Sequence, residues 1–166
     1  MTKMMGRCKL MSEKALVVGI GNQIRQDDGI GPYCVGLLKE LLSPEKKELV
    51  DYLVVHQLDV IHCDLFSGYR LIVFIDADAL SGSEPYRVEE IRPEPVSRPF
   101  TSHIGSIQDI LSLTCRLYDS APAGSLFAVR GLSFDVGEEL TPEAISNSRQ
   151  AVEAVKRLID KFFPLA

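Results

Sequence analysis

Cysteine pairs are absent from this sequence: Cys8, Cys34, Cys63 and Cys115 lie far apart, and none is part of a Cys-x-x-Cys motif. This spacing excludes a zinc ribbon and a disulfide framework, and it is typical of a protein of the reducing cytoplasm. No apolar run reaches the length of a membrane span. Residues 1–14 lack the apolar core of a signal peptide, so we expect them to form a flexible extension. The sequence therefore predicts a cytoplasmic protein without membrane insertion.

Basic residues are outnumbered as well. The 166 residues include 18 Lys and Arg against 23 Asp and Glu, which gives a formal net charge of -5. This balance argues against nucleic acid or an anionic membrane as a partner. A chain of this length fits one domain, which we place at residues 15–166. Because no exposed heptad stripe is evident, we expect a monomer.

Motifs for nucleotide binding and for nucleophilic catalysis are also missing. Gly19-x-Gly21 follows an apolar run, but Ile24 occupies the position of the third glycine in a dinucleotide fingerprint. No Gly-Lys-Ser/Thr completes a phosphate loop, and Asp27 and Asp28 would repel a pyrophosphate. No Gly-x-Ser-x-Gly elbow occurs. We interpret the loop as a site for a cation or a polar substrate.

Apolar runs and helical stripes alternate along the chain. The predicted strands are 15–19, 52–56, 71–75, 86–88 and 126–129. The predicted helices are 28–42, 60–66, 104–117 with Thr101 or Ser102 as its cap, and a last helix that begins at Thr141-Pro142. Residues 43–48 are expected to be a solvated connection. This alternation predicts a mostly parallel α/β sandwich.

Polar residues that suit metal binding stand at the ends of three of these elements. Asp28 follows the first strand, Asp76 ends the third, and His103 precedes a helix. Two carboxylates and one imidazole suit a divalent transition metal. Other roles stay open: Asp28 is either a helix cap or a ligand, and Asp27 is better suited to capping or bracing the loop. Asp78 could replace Asp76, because alternate residues of a strand face the same way.

Four stretches of the sequence resemble, in order and spacing, the motifs of one known family. Gly19-Ile-Gly-Asn22 followed by Asp27-Asp28-Gly-Ile-Gly31 is similar to the first motif of that family. The apolar strand that ends in Asp76-Ala77, and Thr101-Ser102-His103 before a helix, agree in order and spacing. The run from Gly131 to Pro142, with Gly137-Glu-Glu-Leu-Thr-Pro at its end, is similar to the family's entry into the last helix. The family that these motifs resemble is that of the hydrogenase maturation endopeptidases, and the resemblance covers about residues 15–162.

The resemblance implies a fold and an activity. The fold is a three-layer α/β sandwich, in which a twisted, five-stranded, mostly parallel sheet carries helices on both faces. The activity is a nickel-dependent hydrolase, an endopeptidase that removes a C-terminal extension from the large-subunit precursor of [NiFe] hydrogenase after metal insertion. Asp28, Asp76 and His103 are implied as the nickel ligands and catalytic residues. The substrate would supply the nickel, for which zinc or cadmium could substitute.

The sequence also offers secondary site residues, and in one place it departs from the family's pattern. Asn22 is a candidate for positioning a substrate group, and Asp27 and Asp78 are candidates for activating water. The glycine turn that usually follows strand 2 is replaced by His56-Gln57-Leu58. His56 and His62 are weaker candidates for a metal role than His103, and we interpret His62 and Cys63 as packing or surface residues. Two other hypotheses remain: a non-catalytic metal-sensing binder or chaperone of the precursor, and a metal-dependent exopeptidase on the same fold.

Overall fold

The structure is a computed structural model that describes residues 12–79, 82–93 and 106–165. Its strands and helices lie within these ranges. The strands are β1 (Ser12–Ile20), β2 (Val50–Val55), β3 (Tyr69–Asp78), β4 (Tyr86–Ile91) and β5 (Ala123–Arg130). The helices are α1 (Ile30–Leu41), α2 (Pro44–Lys47), α3 (His62–Phe66), α4 (Ile107–Tyr118) and α5 (Pro142–Phe162). A 3-10 turn, Gln26–Gly29, leads into α1.

One sheet contains all five strands in the order β2-β1-β3-β5-β4. β1, β2, β3 and β5 are parallel, and β4 pairs with β5 in the antiparallel sense. The carboxyl ends of the parallel strands therefore meet at one edge, where Ile20 is opposite Val55 and Asp78 is opposite Arg130. This arrangement confirms the predicted α/β fold with a mostly parallel, five-stranded sheet.

Helices cover both faces of the sheet, because alternate strand residues enter two separate cores. Ala15 and Val17 of β1 belong to the core under α1 and α5. Leu16 and Val18 belong to the core under α3 and α4, which also contains Phe66. Since both faces of the central strands are apolar, β1 and β3 have the continuous apolar sequences of buried parallel strands. The prediction of helices on both faces is confirmed.

Glycine lets the first turn of α1 lie directly against the strand ends. A β-carbon added to Gly31 would be 2.2 Å from the carbonyl oxygen of Ile20 and 2.7 Å from that of Ile75. No larger residue fits there without moving the helix away from β1 and β3. The turn that precedes α1, and the two acids on it, are thereby held at the carboxyl edge of the sheet.

Several predicted boundaries differ from the structure. β1 begins at Ser12, inside the predicted extension, and residues 1–11 lie outside the described chain. Residues 43–48 contain α2 and the buried Lys46, whereas we expected a solvated connection. The cap of α4 is Ser106, which forms a capping box with Asp109. The predicted caps Thr101 and Ser102 precede it and lie outside the described residues.

No helix within residues 12–79, 82–93 and 106–165 combines the length and the apolar composition that crossing a bilayer demands.

Candidate functional site

The turn between β1 and α1 holds Asp28 at the carboxyl edge of the sheet. Gly21 has φ +140, and a β-carbon there would lie 1.8 Å from the Asp28 carbonyl oxygen, so the turn requires glycine. The backbone amide of Asn22 donates a hydrogen bond of 2.9 Å to Asp28 Oδ2. The side chain of Asn22 is used locally, because its Oδ1 accepts from the Ile24 amide at 3.2 Å. The glycine loop thus orients one carboxylate.

Asp27, the neighbour of Asp28, is fully buried and braces the loop. Its carboxylate accepts hydrogen bonds from the amides of Leu132 and Thr141 at 2.7 Å and of Ser133 at 3.1 Å, and from the Thr141 hydroxyl at 2.8 Å. Burial alone would raise its pKa, but these hydrogen bonds lower the pKa below the ordinary value. Asp27 therefore links the acid turn, the turn Gln26–Gly29 that carries both aspartates, to the segment before α5.

Asp76 lies near the carboxyl end of β3 and is partly buried. The amide of Ala77 donates a hydrogen bond of 2.8 Å to Asp76 Oδ1. Burial, together with the negative charges of Asp28 and Asp78, raises the pKa of Asp76 to about 6 against the opposing effect of the Ala77 amide. Asp76 is therefore a carboxylate that is costly to ionise without a nearby cation.

Asp28 and Asp76 line the same cavity, which has a volume of about 280 Å³. The other residues that line it are Ile20, Gly21, His56, Gln57, Leu58 and Ile107. The elements that supply them are β1, the acid turn, the segment after β2, β3 and the start of α4. Open parallel sheets bind ligands at this edge. The structure thus brings together the two carboxylates selected from the sequence.

Asp78, the predicted alternative to Asp76, has a different environment. Its Oδ2 accepts a hydrogen bond of 2.8 Å from Arg87 Nε, and the two side chains form an ion pair. Asp78 is not among the described residues that line the cavity. Its negative charge nevertheless reaches the site, where it contributes to the raised pKa of Asp76.

Two larger cavities lie elsewhere. One of about 660 Å³ is at the amino ends of β3 and β5, and one of about 380 Å³ lies between α1 and α5. Neither is lined by Asp28, Asp76 or another residue predicted for the site. The smaller cavity at the carboxyl edge is the candidate functional site because its chemistry, rather than its size, is distinctive.

The donor set of this cavity suits a cation. Asp28 and Asp76 each have one oxygen held by a backbone amide, and their like charges would be neutralised by a positive ion between them. Across the described ranges, no group of three or more His, Cys, Asp or Glu is placed to hold a metal ion. The predicted third ligand, His103, lies outside those ranges, so the three-ligand site stays a prediction.

His56, which the sequence makes a weaker metal candidate than His103, is a cavity residue. It directly follows β2 and lines the cavity with Asp28 and Asp76. The rule that selected the two acids, a polar residue after an apolar strand, would also have selected His56. His62 differs, since its Nδ1 is 2.9 Å from the Asp59 amide and its ring stacks on Phe66. Of these two histidines, His56 lines the candidate site and His62 does not.

Replacing Asp76 with asparagine should stabilise the metal-free protein at neutral pH. The pKa of Asp76 is about 6 in the folded protein and has the ordinary value of 3.8 in the unfolded chain, so the folded protein binds the proton more tightly. Below about pH 4 the carboxyl is protonated in both states and does not destabilise the fold. As the pH rises through about 6 the folded protein must ionise it, and stability is lost. Asp76→Asn escapes this loss and should be more stable by roughly 2 kcal/mol at about pH 7.5, allowing for residual solvent exposure. Urea unfolding of the two proteins in the presence of a chelator, at about pH 4 and about pH 7.5, checks this. An advantage that is the same at both would contradict the raised pKa.

No family model matches the chain, and no curated protein matches it either. Solved structures do. The hydrogenase maturating endopeptidase HybD from E. coli is 22% identical, with a TM-score of 0.68 over 89% of this chain and 93% of that chain. The maturation protease HybD from Thermococcus kodakarensis is 25% identical, with a TM-score of 0.57 over 88% and 99%.

A third similar structure is the hydrogenase 2 maturation peptidase from a Thaumarchaeota archaeon. It is 23% identical, with a TM-score of 0.62 over 88% of this chain and 97% of that chain. These matches span almost the whole length of both chains. These three proteins, whose fold this chain shares, are named as hydrogenase maturation proteases or peptidases, the family that the four sequence motifs resemble.

Proposed function

We propose that this protein is a hydrogenase maturation endopeptidase, which removes a C-terminal extension from the large-subunit precursor of [NiFe] hydrogenase after nickel insertion. The observation that carries the proposal is the pairing of Asp28 and Asp76 in one cavity at the carboxyl edge of the sheet. The shared fold of maturation proteases and the four sequence motifs support it.

The nickel belongs to the substrate in this proposal, since the precursor carries it to the site. Asp28 and Asp76 would bind it through carboxylate oxygens, and His103 would complete an O,O,N set. When bound, the metal supplies positive charge and open coordination positions. The amides of Asn22 and Ala77 hold the two carboxylates in place before the substrate arrives. The precursor would contact these ligands through its nickel, so a precursor without nickel would lose those contacts and bind less tightly.

Asp27 contributes by positioning the turn. All four of its hydrogen-bond donors belong to the segment 132–141, so the turn has little freedom to rotate Asp28 away from the cavity. Preorganised ligands avoid a reorganisation cost when the substrate binds. Asp27 is therefore a positioning residue, and its saturated carboxylate is poorly suited to accept a proton from water.

The test is cleavage of a purified large-subunit precursor in nickel-loaded and nickel-free forms. We expect one shorter product by mass spectrometry from the nickel-loaded form alone, because the metal completes the site. Small unstructured peptides with added zinc should not be cleaved, and their turnover would favour the exopeptidase hypothesis. Intact nickel-loaded precursor after prolonged incubation would contradict the proposed function.

One observation favours a second candidate function, a non-catalytic binder of the precursor. The wall of the cavity after β2 consists of His56, Gln57 and Leu58, where the family usually has a glycine turn. A binder would form a complex that depends on the C-terminal extension, and mass spectrometry would find no cleaved product. The same precursor experiment therefore separates the two functions.

A further inference from the structure

The outer edge of β2 is a free hydrogen-bonding edge of the sheet. β2 is the first strand in the order β2-β1-β3-β5-β4 and pairs with β1 on one side. On its other side, no strand among residues 12–79, 82–93 and 106–165 pairs with it. Backbone donors and acceptors on such an edge are a template for another extended chain.

The register identifies which groups face outward. The amide of Ala15 donates to the Leu49 carbonyl and the amide of Gly21 to the Val55 carbonyl, each at 2.9 Å. Backbone groups alternate in direction along a strand, so Leu49 and Val55 face β1. The amide and carbonyl groups of Tyr52 and Val54 therefore point away from the sheet.

The opposite edge of the sheet differs in charge. β4 carries Arg87, Glu89 and Glu90, and ion pairs join Arg87 to Glu89 and Arg92 to Glu90. Charged side chains on an edge strand oppose the addition of another strand. The second half of β2, residues 53–55, has no charge, and the Val54 side chain is 47% exposed. Of the two edges, β2 is the one suited to accept an extended segment.

β2 also leads directly into the candidate site. The residues that follow its last residue, Val55, are His56, Gln57 and Leu58, which line the cavity with Asp28 and Asp76. A chain hydrogen-bonded along Tyr52 and Val54 would therefore end beside residues 56–58, which line the cavity. From there its next residues could turn over the sheet edge toward the two carboxylates.

We propose that β2 binds the C-terminal segment of the precursor as an added strand, which delivers the scissile bond to the cavity. The proposal rests on the proposed function for the identity of this segment. An extended, uncharged polypeptide is the ligand that fits, because it presents donors and acceptors that alternate in the same way as those of β2. The binding mode explains how a protease could select an extended segment without a deep side-chain pocket.

Edge-blocking substitutions test the proposal with nickel-loaded precursor as the probe. Val54→Pro removes an outward amide, and Val54→Lys places a charge on the edge. We expect kcat/KM for processing to fall by on the order of tenfold in each, mainly through KM, because Val54→Pro removes one hydrogen bond and the charge of Val54→Lys opposes burial under an added strand. The matched control is Val88→Lys on β4, where a valine that is 52% exposed occupies the other edge. It should process precursor at the wild-type rate.

Thermal unfolding and hydrogen exchange complete the test. Unchanged unfolding midpoints would show that the variants fold, and if Val54→Pro does not, Val54→Lys decides. The precursor should slow amide exchange in residues 50–55 and leave residues 86–91 unchanged. Wild-type processing by both Val54 variants, without protection of β2, would overturn the edge proposal and leave the proposed function intact.

Two further results separate the alternatives. If the wild-type protein binds the precursor without cleaving it, the proposed function fails, and protection of residues 50–55 still supports the edge as the docking site. If the protein alone forms a dimer that Val54→Pro dissociates, the edge is occupied by a second copy of the chain. That result, measured by analytical ultracentrifugation, would overturn the proposal.

Discussion

Replacing Asp28 and Asp76 together with asparagine should abolish processing of a nickel-loaded large-subunit precursor. Each single substitution should lower kcat/KM by at least about 100-fold, because even changes behind a metal ligand cost that much. Asparagine keeps the shape of the side chain but removes the negative charge that the metal requires. The fold should survive, since both residues lie at a cavity rather than in the core. Product formation by mass spectrometry measures the effect.

Cadmium binding gives a second measurement that does not depend on cleavage. Isothermal titration calorimetry should detect binding to the wild-type protein and none to the double variant, because the two carboxylates provide most of the charge of the site. Asp78→Asn is the matched control, since Asp78 lies two residues from Asp76 and is paired with Arg87. If Asp78→Asn abolished processing while Asp76→Asn did not, the ligand assignment on β3 would be wrong. Full cleavage by a variant that lacks both Asp28 and His103 would refute the site.

Asp27→Ala should destabilise the protein by about 3 to 4 kcal/mol, a large fraction of the stability of a domain. The substitution leaves the amides of Leu132, Ser133 and Thr141, whose hydrogen bonds to Asp27 are partly buried, without their charged acceptor. Hydrogen bonds to a charged group contribute more to stability than neutral ones, and three amides lose their partner at once. Urea unfolding monitored by circular dichroism measures the change.

The control for this prediction is the adjacent acid. Asp28→Asn should change the free energy of unfolding little, so that two neighbouring aspartates separate into one that determines stability and one that determines activity. Because the pKa of Asp27 is lowered, its contribution is present above the ordinary value of 3.8 and is lost as the pH falls through the lowered pKa. Equal stability of Asp27→Ala and wild type would show that the segment before α5 does not depend on this carboxylate.

The fold and the paired acids could be predicted because they follow from local patterns. A continuous apolar run, 71–75, identified the central strand, and the acid that follows it falls at the carboxyl edge in any parallel sheet. The strand itself continues to Asp78, since pairing with β5 extends as far as Arg130. Such pairing is a property of the neighbouring strand and leaves no signal in the residues 76–78 themselves.

Other features depend on contacts that sequence patterns do not contain. Lys46 is buried because its Nζ donates to the carbonyl of Phe163 and pairs with Asp160 at 3.3 Å, both at the end of α5. The sequence alone makes His56 a weaker metal candidate than His103. Its relation to Asp28 and Asp76 appears only when β2 is placed beside β1. Long-range placement, rather than residue type, was the missing information.

The brace at Asp27 also has a consequence for the order in which the chain is made. Its partners lie 105 to 114 residues later in the polypeptide, so they leave the ribosome long after the acid turn has been synthesised. Until then the turn lacks the hydrogen bonds that connect it to residues 132–141. A nascent chain would thus have an incompletely braced acid turn, and the proposed activity would arise only after residues 132–141 have been synthesised.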